Sequence, residues 1–72
     1  MRINMIKRRK ELGLTQKDIA KKINKGRSTY ASYEVGTISP SLKTSLLLKK
    51  ILNSDDDIFL DTNVTQNDYK II

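Results

Sequence analysis

Residues 14–40 read LTQKDIAKKINKGRSTYASYEVGTISP, and this stretch decides the fold. Thr15 is a good N-cap, and Asp18 stands three residues on, where the acid of a capping box belongs. Leu14 before the cap is placed to staple onto Ile19. Ile19, Ala20 and Ile23 then form the inner face of a short helix. Asn24 ends it, because asparagine tolerates the left-handed conformation better than most non-glycine residues. Gly26 opens the next helix as a modest N-cap, residues 27–35 form it, and Gly36 closes it. Tyr30 and either Tyr33 or Glu34 face inward in that helix.

Outward from this unit the periodicity stays helical. On the N-terminal side, residues 3–12 place Met5, Ile6, Arg9 and Leu12 on a shared face, and Gly13 stops the helix. On the C-terminal side, Ser39 and Pro40 read as an N-cap followed by proline at the first helical position. That fourth helix runs to about Leu52 and spreads Leu42, Ser45, Leu46, Leu48, Lys49 and Leu52 over adjacent faces, with Asn53 as its C-cap. Asp55, Asp56 and Asp57 suit the start of a short fifth helix, after which Ile58, Phe59 and Leu60 fold back onto the core. From Thr62 the chain turns polar. The expectation is an all-α fold, a compact bundle of four to five short helices. Residues 1–61 form the domain, and residues 62–72 form a polar tail that is either frayed or part of a dimer interface.

Composition narrows the function. The chain has 72 residues, no cysteine and no histidine. Disulfides, thiolate metal sites and histidine chemistry are therefore excluded, and neither a glycine-rich phosphate loop nor metal-ligand spacing is present. The reading is a non-enzyme without cofactor or metal. No apolar run has the length of a membrane span, and the N-terminus lacks the apolar core of a signal peptide. A cytoplasmic protein without a membrane or small-molecule partner is expected. Charge is uneven: residues 1–52 carry thirteen Lys/Arg against Glu11, Asp18 and Glu34, a net +10. Residues 53–72 carry five Asp against Lys70, a net −4. A basic body attracts polyanions, although charge alone does not separate DNA from RNA, a membrane surface or a soluble basic face.

The unit beginning at Gln16 carries the functional signal. Ala20 at its fifth position lets one helix cross closely over the other, Asn24 at its ninth allows the turn, and Tyr30 at its fifteenth anchors the second helix. The outer face of residues 27–35 then projects outward, where it can enter a major groove. Leu14, Thr15 and Gln16 followed by Ala20, together with Tyr33, Glu34, Gly36 and Pro40, resemble the Cro and lambda-repressor-like helix-turn-helix family of bacterial and phage transcriptional regulators. The resemblance covers residues 5–60. Lys25 stands where that family usually has an apolar turn residue, Gly26 where it has a Ser or Thr cap, and Asn24 where it has glycine.

The resemblance implies sequence-specific binding of double-stranded DNA. It puts Arg27, Ser28, Thr29 and Ser32 at base-reading positions, with Ala31 beside them. Arg27 is suited to a bidentate contact with guanine, and its plainer alternative is a phosphate clamp. Gln16, Thr37 and Ser39 are implied as backbone contacts, with Val35 in the same region; Lys25, a departure from the family, and Lys17, from the charged face, are read as further phosphate contacts. Lys7, Arg8, Lys10, Lys21 and Lys22 read mostly as a solvated charged face. Arg9 and Glu34 are implied as a structural salt bridge between the first and third helices, and Tyr30 as core. A homodimer on a palindromic operator is expected, since one recognition helix reads few base pairs. Candidate interface residues are Ile58, Phe59, Leu60, Val64, Tyr69, Ile71 and Ile72, with core capping favoured for Ile58 and Phe59. A phage-type repressor is the preferred reading. A restriction-controller or antitoxin-type regulator, an RNA-binding module and a protein-interaction module of the same fold are the rivals.

Overall fold

Thr15 starts the decisive helix as its chemistry demands. In the computed structural model, which describes residues 1–60, the Thr15 hydroxyl accepts the Asp18 amide. The Asp18 carboxylate in turn accepts the Thr15 amide, so two of the helix's orphan donors are satisfied reciprocally. These bonds hold the Asp18 carboxyl below its ordinary value, the Thr15 backbone amide contributing most. The helix, α2, spans Gln16–Lys22. Asn24 follows with φ of 58°, in the left-handed region, and turns the chain within three residues. Next comes α3, Arg27–Val35, with Gly26 as its N-cap and Gly36 as its C-cap. Gly36 takes φ of 96°, a conformation that an L side chain resists.

Around this pair, α1 spans Ile3–Glu11 and α4 spans Leu42–Ile51, and a single 3-10 turn covers Asp56–Phe59. The described residues contain no strand, and the architecture is an all-helical bundle. The core gathers Met5 from α1, Ile19 and Ala20 from α2, Ile23 after it, Tyr30 and Tyr33 from α3, Leu48 and Leu52 at α4, and Ile58 from the 3-10 turn. Leu14, Ile51 and Phe59 pack partly against it. The rings of Tyr30 and Tyr33 meet edge to face at 6.4 Å, a favoured aromatic arrangement.

Two sequence expectations are corrected. The fourth helix is capped by Ser41, not Ser39: the Ser41 hydroxyl accepts the Thr44 amide, and α4 begins at Leu42. The Ser39 hydroxyl instead accepts a hydrogen bond from the Arg2 guanidinium. Leu60 does not fold back onto the core and stays exposed, whereas Ile58 is buried and Phe59 partly so. Of the apolar residues on α4, only Leu48 is fully buried, while Leu42 is 78% and Leu46 55% exposed. Residues 62–72, read as a polar tail, lie outside the described residues.

Three arginines of the basic N-terminus are spent inside the fold. The Arg2 guanidinium donates to the carbonyls of Tyr33 at 2.6 Å, Ile38 at 3.0 Å and Phe59 at 3.2 Å, besides Ser39. Its backbone amide donates to the Glu34 carbonyl at 2.7 Å. Arg2 therefore clasps the C-terminal end of α3, the loop after it and the 3-10 turn. Arg8 donates to the Leu52 carbonyl at 2.7 Å and so satisfies the C-terminal end of α4. It also pairs with Glu11, and it is not part of a free charged face. Arg9 turns toward α3. The net +10 of residues 1–52 thus overstates the charge offered to a partner.

Candidate nucleic-acid interface

A helix that is to read another molecule must bury one side and present the other. On α3, Tyr30, Tyr33 and Glu34 are buried, Arg27 and Ser28 are exposed, and Thr29, Ala31 and Ser32 are half-buried. The outer face is short and polar, with one long cationic side chain at its start. The Ser32 hydroxyl donates to the Ser28 carbonyl at 3.0 Å, one turn back. Its proton is thereby engaged, and what Ser32 offers outward is a lone pair.

Behind this face lies a polar cluster. Glu34 is only 2% exposed. Arg9 Nε lies 2.6 Å from Glu34 Oε2, and Arg9 Nη1 donates to the Leu14 carbonyl at 2.9 Å. Gln16 Nε2 donates to Glu34 Oε1 at 2.9 Å. Arg27 Nη1 in turn donates to Gln16 Oε1 at 3.0 Å. Burial works against a charge on Glu34, but Arg9, the neighbouring Tyr30 hydroxyl and Gln16 together outweigh it and hold the carboxyl below its ordinary value. The same pairing raises Arg9, against the opposing effect of burial. The Tyr30 hydroxyl is buried beside this cluster without a hydrogen-bond partner of good geometry. Burial, with Glu34 adding to it, pushes its ionisation well above the ordinary tyrosine value, so it stays a neutral phenol.

Two helices joined through a left-handed Asn24, an outward polar face on the second, and an ion pair locking that helix to α1 form a recognisable unit. A family model described as helix-turn-helix matches residues 5–59. The chain belongs to this family. It is the Cro and lambda-repressor-like family that the residues from Leu14 to Pro40 resemble. An uncharacterised HTH-type transcriptional regulator of Methanothermobacter thermautotrophicus is 37% identical over 62 residues, which span 83% of this chain and 90% of that relative. No solved structure gives a significant match.

The remaining candidate residues fall in four places. Gln16, at the first position of α2, has its amide engaged with Glu34 and Arg27, and one N–H of its NH2 group is left over. Thr37 and Ser39 flank the C-terminal end of α3 and are exposed, and Ser39 is held by Arg2. Lys25 lines an open cleft of about 350 Å³ together with Lys22, Lys43, Ser41 and Thr44, between the turn after α2 and the start of α4. Lys17 is exposed on α2, outside that cleft.

Sequence reasoning passed over Arg2 and Lys43. Arg2 precedes the span of the family match, and its role depends on carbonyls 31 to 57 residues away. No local pattern announces it. Lys43 is one lysine among many in the sequence, and only the packing of α4 brings it beside Lys22 and Lys25. Among the described residues, no group of acidic side chains is placed to hold a metal ion, and no helix is long and apolar enough to cross a membrane.

Proposed function

We propose that the protein is a transcriptional regulator that binds double-stranded DNA, acting in the cytoplasm as a repressor, and that it reads the major groove with α3. The observation that carries the reading is the two-sidedness of α3. Its inner side is locked by Tyr30, Tyr33 and Glu34, so Arg27, Ser28, Thr29 and Ser32 are left facing outward on a rigid element. Arg27 reads a guanine through O6 and N7. Ser32, with its proton engaged, accepts from a base amino group, which adenine and cytosine offer in the major groove.

The backbone is gripped on both sides of that helix. Gln16 and Lys17 meet a phosphate at the start of α2, and Lys25, joined by Lys43 and Lys22 across the cleft, meets another. Thr37 and Ser39 meet the strand beyond the end of α3. These contacts position without specifying, and their strength falls as salt rises.

The protein binds as a homodimer on a palindromic operator whose half-sites lie about 34–36 Å apart. Ile58 is fully buried in the monomer and Phe59 partly so, which removes them as principal interface residues. Among the described residues Leu60 remains, while the candidates Val64, Tyr69, Ile71 and Ile72 lie outside them; the exposed Leu42 and Leu46 on one side of α4 join Leu60 as the apolar surface a second copy would cover. The helix-turn-helix relative, named a transcriptional regulator, supports the regulatory part of the reading.

Selection of bound duplexes from a random pool at about physiological salt tests it, because non-specific phosphate binding is weakened there. The expected product is a palindrome with half-sites one helical turn apart, at which Arg27→Ala flattens the preference for one base pair. Folded protein that enriches no sequence would refute the reading and point to a protein-interaction module of the same fold.

A further inference from the structure

The side chains of Arg9, Glu34, Gln16 and Arg27 form one continuous chain of hydrogen bonds from α1 to the first residue of α3. Its polarity is dictated from the buried end. An ionised carboxylate only accepts hydrogen bonds, so Glu34 requires the NH2 end of the Gln16 amide. The carbonyl end of Gln16 must then point the other way. A guanidinium only donates, and Arg27 supplies the donor that this carbonyl accepts. The charge on Glu34 therefore fixes which end of Gln16 faces Arg27, and every group in the series has the partner its chemistry needs.

Resting on the base-reading role proposed for Arg27, we infer that Glu34, acting through Gln16, sets the direction from which Arg27 meets its base. Glu34 is a positioning residue: it is buried and touches no DNA. An arginine at the start of a helix has many rotamers, and docking on a base costs it that freedom. One already tethered in a single direction loses less, so its affinity for the correct base rises relative to the wrong ones. The Gln16 N–H that remains unused is free for a phosphate, so one amide tethers the arginine and senses the backbone together.

The test uses the full chain and a set of duplexes carrying each single-base change in one selected half-site, with binding followed by fluorescence anisotropy. Gln16→Met keeps the length and helical preference of the side chain and removes both its hydrogen bonds. Gln16 is half-buried at most, so the fold persists. The preference at the base pair read by Arg27 should fall about 2- to 10-fold, the worth of one net hydrogen bond, with preferences elsewhere unchanged. Glu34→Gln, assayed at a temperature where circular dichroism shows it folded, should lower the same preference. The double variant should lower it no further, because the two residues act in series.

If Gln16→Met weakens binding to every duplex equally, Gln16 is a phosphate ligand alone and the inference is overturned with base reading intact. Additive losses in the double variant overturn it as well. If the wild-type protein distinguishes no base at any position, base reading itself fails, which is a separate result from the other two.

Discussion

Replacing Arg9 by alanine should reverse the pH dependence of stability. Glu34 is buried to 2% and has two donors, Arg9 and Gln16, and Arg9 is the charged one. Without it the carboxylate stays in a nearly dry site with one neutral amide, and the Leu14 carbonyl loses its donor as well. Stranding one partner of a buried pair costs about 3–5 kcal/mol. A domain of about 60 residues has only about 3–9 kcal/mol to lose, so the variant should give up about a third or more of its stability and, at the lower end of that range, be half-unfolded or worse at 25 °C. In the wild type the Glu34 carboxyl lies below its unfolded value of about 4.3, so its contribution is fully present above that pH and is lost as the pH falls through the folded value. In Arg9→Ala burial raises the carboxyl instead. The unfolded state then holds fewer protons than the folded one near neutrality, and stability rises as the pH is lowered from 7 toward 5. Urea unfolding followed by circular dichroism at pH 7, 6, 5 and 4 measures both effects. A loss under about 1 kcal/mol with a pH profile parallel to wild type would mean that the pair is solvated, and the reasoning from burial would be wrong. Arg9→Met with Glu34→Leu should recover most of the stability, since an apolar pair of similar volume removes the stranded charge.

Other substitutions test single structural statements. Arg2→Met leaves the Tyr33, Ile38 and Phe59 carbonyls without their donor and should cost about 2–3 kcal/mol, with water re-entering at the loop; amide hydrogen exchange should quicken first around residues 37–39. At Gly26 a Cβ meets nothing within 4 Å and φ is −72°, so Gly26→Ser should stabilise the protein by about 0.5–1 kcal/mol in thermal unfolding, through a side-chain cap and a less flexible unfolded chain. Leu42→Ser combined with Leu46→Ser should leave the unfolding midpoint of the monomer nearly unchanged, because both side chains are exposed. The dimer measured by sedimentation at micromolar concentration should weaken at least tenfold, and an unchanged dimer would remove α4 from the interface.

What could be read from the sequence was local. Thr15 and Asp18 cap a helix through bonds three residues apart, Asn24 and Gly36 mark left-handed positions, and Ile19, Ala20 and Ile23 repeat at helical spacing. Short-range backbone chemistry sets these features, so the boundaries of α3 and the inward faces of α2 and α3 follow from the residues themselves. Where two local readings competed, sequence could not choose. Ser39 followed by Pro40 is as good a helix start as Ser41, and only the folded chain shows Ser41 as the cap, with the Ser39 hydroxyl bonded to Arg2 from 37 residues away.

The tertiary structure alone decided where the charges go and which leucines are covered. Arg2, Arg8 and Lys43 are equal cations in a sequence. In the fold, Arg2 and Arg8 satisfy carbonyls at element ends, and Lys43 joins the rim of a basic cleft. Leu42, Leu46 and Leu48 share one helix and one residue type, yet only Leu48 meets the core, because the packing of α4 is set by the elements it touches and not by its own pattern. The orientation of Arg27 belongs to the same class. Its tether runs through Gln16 to Glu34 and Arg9, on three helices that are adjacent only once the chain has folded.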